Sequence, residues 1–347
     1  MKNLIIPALS IVLLFSACNS GKNSEQSEQA SINKNELMAQ AHGLFQQLPV
    51  VSVNEANPIT EAKVKLGKIL YFDKRLSKNN TISCNSCHNL ATYGVDNKPV
   101  SPGDKGENGN RNSPTVFNAA LHFTQFWDGR AKDVEEQAGG PILNPVEMGM
   151  PEEKIVLKRI SSEPKYVALF KEAFPDSKTP VTYANLQNAI GAFERTLITP
   201  AKFDKFLGGD STALAENEIK GLHTFIKTGC ITCHIGPAIG GSMYQKFGLF
   251  GDYSAMTKSP LMDPGRFGLT KNEADKFMFK VPGLRNIEKT GPYFHDGSVA
   301  ILSESIKIMA KLELNKDITD AEVADISAFL GTLTADIDPK LGIEAKL

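Results

Sequence analysis

Cys84-Asn85-Ser86-Cys87-His88 and Cys230-Ile231-Thr232-Cys233-His234 decide how this chain is read. Each is a C-x-x-C-H, the attachment signature of c-type haem. The two thiols add to the porphyrin vinyl groups and the histidine that follows sits under the iron as proximal ligand. A redox dithiol needs only C-x-x-C and has no use for that histidine. The chain has five cysteines and four of them fall in these motifs, so no pair remains for a structural disulfide. The expected cofactors are two covalent haem c groups, on Cys84 and Cys87 with His88, and on Cys230 and Cys233 with His234.

The repeat extends beyond the motifs. Lys65 to Phe72 precedes the first and Ile219 to Ile226 the second, both amphipathic with a glycine in mid-helix, where glycine costs stability and permits close packing. A matched helix follows each motif: Ala189 to Leu197 parallels Asp325 to Leu333. Leu186, Ile190, Phe193 and Leu197 keep helical spacing, and Thr319-x-x-Glu322 is a capping box for the second copy. A helix crossing ahead of C-x-x-C-H, closed by a second helix, is similar to the cytochrome c fold. The expectation is an all-α chain of two cytochrome c-like domains, residues 36–200 and 201–347, each with one covalent haem and joined near Pro200.

The N-terminus reads as an export signal over 1–18. Lys2 is followed by the apolar run Leu4 to Phe15, too short to span a bilayer, and then by Ser16-Ala17-Cys18. Small residues before Cys18 resemble a lipobox, which would make the protein a membrane-anchored lipoprotein with a lipid on Cys18. Plain secretion is the other reading, and both place the mature chain outside the cytoplasm, in the periplasm. Residues 19–35 are a polar, flexible tether. A formal net charge of -1 provides no basic field, which excludes a nucleic-acid partner.

An electron carrier fills both axial positions of its iron, whereas a peroxidase leaves one open, so the sixth ligands decide function. Six histidines exist, and two are proximal. For the second haem Met309 is the best-placed sixth ligand, with Met243, Met256, Met262 and Met278 competing by composition. Met/His ligation raises the reduction potential, which suits an electron-accepting haem.

Asn112-Ser113-Pro114-Thr115-Val116, Gln125-Phe126-Trp127-Asp128-Gly129-Arg130-Ala131 and Pro145-Val146-Glu147-Met148 resemble the bacterial di-haem cytochrome c peroxidase family. So do Val281 to Asn286 and Gly291-Pro292-Tyr293-Phe294-His295-Asp296-Gly297, and the likeness runs from about Pro49 to Thr334. The resemblance implies that the N-terminal haem reduces hydrogen peroxide, with Glu147 as acid–base group, Gln137 beside it, Phe126 lining the site and Trp127 between the haems. It implies Met309 as second-haem ligand and a donor that is a cytochrome c or small copper protein. It also implies calcium between the domains, on Asn112 through an oxygen and on Thr290 and Pro292 through carbonyls, and often a homodimer. Trp127 is an electron relay or interdomain packing. His295, near the second haem, is expected to make a structural hydrogen bond, while His42 and His223 read as surface or packing.

One departure stands out. Where many members carry a distal histidine that blocks the resting peroxidatic iron, this chain has Asp104, and between His88 and His122 there is no other histidine. The N-terminal iron is therefore expected to be five-coordinate or water-bound at rest, Gly103 to Gly109 to be a mobile loop, and His122 to be the only substitute ligand. Two rival functions follow: a di-haem electron carrier without turnover, and a related di-haem oxidase of a protein substrate. That oxidase subgroup carries tyrosine where Met309 stands.

Overall fold

The computed structural model describes Met1, residues 32–344 and Leu347. The export signal with its lipobox at Cys18, and the tether as far as residue 31, lie outside the described residues. No helix among the described residues is long and apolar enough to cross a membrane.

Helix dominates, as the periodicity requires. After α1 (Lys34–Leu44), which packs on the second core, the first motif is surrounded by α2 (Glu61–Phe72), α3 (Cys84–Cys87), α4 (Val134–Leu143), α5 (Glu153–Ser161), α6 (Pro164–Ala173) and α7 (Tyr183–Glu194). The second motif is framed by α8 (Lys202–Leu207), α9 (Glu216–Thr228), α10 (Tyr253–Thr257), α11 (Phe267–Thr270), α12 (Leu302–Leu314) and α13 (Asp320–Gly331). Among the described residues the one sheet is an antiparallel ribbon of β1 (Tyr244–Lys246) and β2 (Met278–Lys280), with Tyr244 opposite Lys280. The Thr319–Glu322 capping box starts α13 as read from the sequence.

Each half is built on one helix crossing, α2 on α7 and α9 on α13. The mid-helix glycines sit at the crossings: a Cβ on Gly67 would lie 1.9 Å from the Ala189 carbonyl oxygen, and one on Gly221 would lie 2.1 Å from that of Asp325. No side chain fits, so both helices approach backbone to backbone. Behind α2 and α7 is a core of Leu66, Leu70, Tyr71, Phe117, Leu186, Ile190 and Phe193, with Cys84 at its margin. Behind α9 and α13 is a second core of Phe203, Phe206, Leu222, Phe225, Ile326 and Phe329, with Cys230 at its margin.

The chain ends do not respect sequence order. Leu37 and Ala41 of α1, together with Phe45, bury themselves in the second core, while Ile337, Leu341 and Leu347 pack on the first. Each core is thus closed by a segment from the far end of the chain. Two buried bidentate ion pairs reinforce the cores. Arg195 donates to both oxygens of Glu135, each at 2.7 Å, and Arg285 to those of Asp204 at 2.5 and 3.0 Å.

Gly67→Ala and Gly221→Ala are each expected to destabilise the protein by about 1–3 kcal/mol, the range for overpacked sites. Gly43→Ala on α1, where an added methyl meets nothing within 4 Å, should be neutral or stabilising by up to about 1 kcal/mol. Urea unfolding of the three variants checks the contrast.

Candidate haem sites and their catalytic surroundings

Each C-x-x-C-H begins where its helix or turn leaves the core, so the following histidine is pinned by its neighbours. The His88 backbone N–H donates to Cys84 and that of His234 to Cys230. The His88 Nδ1–H then donates to the Pro114 carbonyl at 2.9 Å, and the His234 Nδ1–H to that of Ile239 at 3.2 Å, with the Pro282 carbonyl alongside. A carbonyl can only accept, so both rings carry their proton on Nδ1 and keep Nε2 free as a metal donor. Burial lowers both imidazoles, His234 to about 4, which keeps them neutral and ligating. Tyr71 fixes the first motif further, its hydroxyl donating to the His88 carbonyl at 2.6 Å. None of the four motif cysteines is paired in a disulfide, and burial pushes the Cys230 thiol up to about 12.

A cavity of about 280 Å³ lies against the second motif. Cys230, Cys233, His234 and Met309 line it together with Trp127, Phe279 and His295. Of the methionines that follow His234, Met309 alone lines this cavity, whereas Met256 and Met262 are exposed. Two buried polar atoms at the wall have no protein partner, His295 Nε2 and Glu313 Oε2. Paired thiols, a free imidazole Nε2, a thioether and apolar walls fit a c-type haem.

The residues expected around the first motif come from three segments. Phe126 and Trp127 lie in a tight hairpin closed by Gln125 N–H donating to the Ala131 carbonyl at 2.7 Å. Phe126 has φ of 66° and carries the Arg130 guanidinium 3.4 Å over its ring. Gln137 is half-buried on α4, and Glu147 follows that helix. The Glu147 Oε1 accepts from Asn144 Nδ2 at 2.8 Å, which leaves Oε2 free. Burial raises the Glu147 carboxyl above its usual range, while Arg130 and the Asn144 bond offset part of the rise. Burial also pushes the Cys87 thiol up to about 11; a Ser101 hydrogen bond opposes the rise and the negative charge of Glu147 adds to it, so this carboxyl stands beside the first motif.

Asp104 is not aimed at that motif. Its carboxylate accepts from Asn79 N–H at 3.0 and 3.1 Å and from the Thr81 hydroxyl at 2.5 Å. Burial would raise it, but these bonds hold it below the usual range. The glycine-rich segment, expected to be a mobile loop, is instead an anchored hairpin: Pro102 bridges Asn108, and Asp104 N–H donates to the Glu147 carbonyl at 2.7 Å. Gly103 fits there because a Cβ would lie 1.9 Å from the Val146 carbonyl oxygen. His122, the expected substitute ligand, lies in the wall of the His234 cavity, with Nδ1 3.0 Å from Lys280 Nζ. His42 is exposed and His223 half-buried.

The backbone also carries a repeat within the site. Gln125 to Ala131 and Tyr293 to Val299 form equivalent hairpins, with φ of 66° and 71° at Phe126 and Phe294 and 71° and 63° at Gly129 and Gly297. Trp127 and His295 are equivalent positions, and their rings meet edge to face with centroids 6.4 Å apart. The Trp127 Nε1–H donates to the Asn112 carbonyl at 2.9 Å. His295, expected to make a structural hydrogen bond, instead stacks on Phe279 with centroids 4.3 Å apart. Asn112, Thr290 and Pro292 line the same cavity, and Asn112 Nδ2 donates to the Lys98 carbonyl at 2.9 Å, leaving its oxygen available to a hard cation. Among the described residues no three His, Cys, Asp or Glu side chains cluster as metal donors.

Residues 61–212 match the sequence model of a family described as di-haem cytochrome c peroxidase. The chain is 47% identical over 307 residues to the cytochrome c551 peroxidase of Nitrosomonas europaea, covering 88% of this chain and 90% of that one. It is 45% identical over 300 residues to the cytochrome c551 peroxidase of Pseudomonas aeruginosa, covering 86% of each. A solved structure of a MauG-like protein associated with microbial copper homeostasis superposes with a TM-score of 0.74 at 30% identity, over 86% of this chain and 97% of the other.

Replacing Cys84 and Cys87 by alanine, or Cys230 and Cys233, should each halve the covalent haem per chain in a pyridine haemochrome assay. Before pyridine is added, the absorption spectra of the two variants should differ, because Met309 lines the cavity of the second motif.

Proposed function

This chain belongs to the di-haem cytochrome c peroxidase family, and from that premise we propose that it is an exported enzyme reducing hydrogen peroxide to water. The balance is one peroxide, two electrons and two protons giving two waters, with a cytochrome c or small copper protein of the periplasm as donor. The peroxidatic haem is assigned to 36–200 and the electron-accepting haem to 201–347, with α1 exchanged into the second core and Ile337, Leu341 and Leu347 into the first. Bound at Cys84 and Cys87, haem would supply the iron at which the O–O bond is split; bound at Cys230 and Cys233 under Met309, it would supply a higher-potential electron store.

The protein's own part in the chemistry is proton management. Glu147 takes the proton from the near oxygen of peroxide and returns it to the departing one, through the Oε2 that Asn144 leaves free. Gln137 orients the substrate, Phe126 excludes water, and Arg130, stacked on Phe126, offsets part of the rise that burial imposes on the Glu147 carboxyl. Trp127 and His295 stand between the two halves, where an aromatic contact serves electron passage. Calcium on Asn112, Thr290 and Pro292 would tie the same region together. The observation that carries this reading is a half-buried Glu147 with a free Oε2, together with an Asp104 whose carboxylate is tied to Asn79 and Thr81 where many family members carry a distal histidine. Met309 favours this enzyme over the oxidase subgroup that carries tyrosine there, and a simple electron carrier has no need of Glu147.

Glu147→Gln should lower kcat for peroxide by about 10²–10⁴-fold with both haems retained. Because the base must be ionised, activity should fall on the acid side through the raised Glu147 pKa. Arg130→Met removes a charge that lowers that pKa, so the acid limb of kcat/KM should move to higher pH. Stopped-flow and steady-state profiles across pH read both effects, and an acid limb unchanged in both variants would contradict the role.

A further inference from the structure

The internal repeat pairs Asn112-Ser113-Pro114 with Lys280-Val281-Pro282. Both backbones are used alike: the Asn112 N–H donates to the His295 carbonyl at 2.7 Å, and the Lys280 N–H to the Trp127 carbonyl at 2.8 Å. The side chains differ in kind. Asn112 offers a neutral oxygen, whereas Lys280, a residue only 4% exposed, brings an ammonium.

A buried cation needs a counter-charge, since desolvating an ammonium costs several kcal/mol when nothing repays it. Among the described residues the Lys280 ammonium has one hydrogen-bond partner, the neutral His122 Nδ1 at 3.0 Å. No carboxylate among them acts on its charge, and burial alone lowers it to about 8. An ammonium has three donors, so acceptors are owed. His122 is itself held in place, its ring filling the space that a Cβ on Gly241 or Gly283 would occupy, at 2.1 and 2.8 Å. Lys280 and His122 both line the cavity reached by Cys230, Cys233, His234 and Met309.

We propose that Lys280 anchors a propionate carboxylate of the haem held at Cys230 and Cys233, with His122 as the residue that positions its ammonium. The inference rests on the assignment of a haem to the second motif. The ammonium neutralises the carboxylate's charge close to the iron, which favours the reduced state of that haem. Lys280 does in one half, with a covalently attached cation, what Asn112 would do in the other by holding a metal ion.

Spectroelectrochemical titration of the purified holoprotein tests this. Lys280→Met should shift the second haem's reduction equilibrium toward the oxidised form about tenfold, ~59 mV for a one-electron couple. The first haem should keep its potential, and the propionate bending mode of the second should move in resonance Raman spectra. Lys280→Gln, which keeps a hydrogen-bond donor and removes only the charge, should shift the equilibrium in the same direction and stands in if the methionine variant does not fold. Haemochrome content is read on the same samples. Two haems per chain with an unchanged second-haem potential, or a shift confined to the first haem, overturns the anchor and leaves the two-haem assignment intact. A wild-type protein with one haem would instead sink the assignment itself.

Discussion

The hydrogen bond from His88 Nδ1 to the Pro114 carbonyl, with its counterpart from His234 to Ile239, carries the rest of the architecture. It sets the tautomer, keeps Nε2 free, and ties the first C-x-x-C-H to the loop at Pro114 and the second to the turn at Ile239 that follows it. Loss of such outer partners typically costs 10–100-fold in metal affinity. The loop so held also contains Asn112, whose carbonyl accepts from Trp127 and whose N–H donates to His295. The histidine expected to ligate iron at one motif and the contact between the two halves are therefore parts of one bonded network. The crossings at Gly67 and Gly221 supply the rigid base from which it works.

Function arises where the two halves differ on this shared frame. The hairpins at Phe126 and Phe294 have nearly the same backbone, yet one presents Trp127 and Arg130 and the other His295 and Ser298. Glu194 falls where the second copy has Leu330, a wall residue of the His234 cavity. Burial raises Glu194 to about 8, with the nearby Glu135 adding to the rise and Arg195 opposing it. Buried carboxyls stand in both halves, Glu147 and Glu194 in the one assigned to proton-consuming chemistry and Glu313 in the wall of the His234 cavity. The thioether of Met309 and the ammonium of Lys280 gather in the half assigned to holding an electron.

Local pattern made much of this legible in the sequence. The motifs, the crossing glycines, the α13 capping box and the helical faces each declare themselves within a few residues, and each is where it was expected. Non-local pairings were not legible. Nothing near Leu37 or Leu341 says that each will cross to the other core, and nothing near Asp104 says that Asn79 and Thr81 will turn it inward, so its glycine-rich neighbourhood read as a loose loop. His122 pairs with Lys280 across more than a hundred residues, which no spacing rule reports. One signal was present and unused: the match of Gln125-Phe126-Trp127-Asp128-Gly129 to Tyr293-Phe294-His295-Asp296-Gly297, which alone would have set Trp127 opposite His295.

The inward tie of Asp104 makes a specific claim about the resting enzyme, that its first site accepts peroxide before any electron arrives. Rapid mixing of peroxide with fully oxidised and with half-reduced protein, followed by absorption, addresses it most directly. The account predicts that both forms react, with the oxidised first haem high-spin beforehand. An oxidised protein that is low-spin at both haems and inert to peroxide until half-reduced would contradict it.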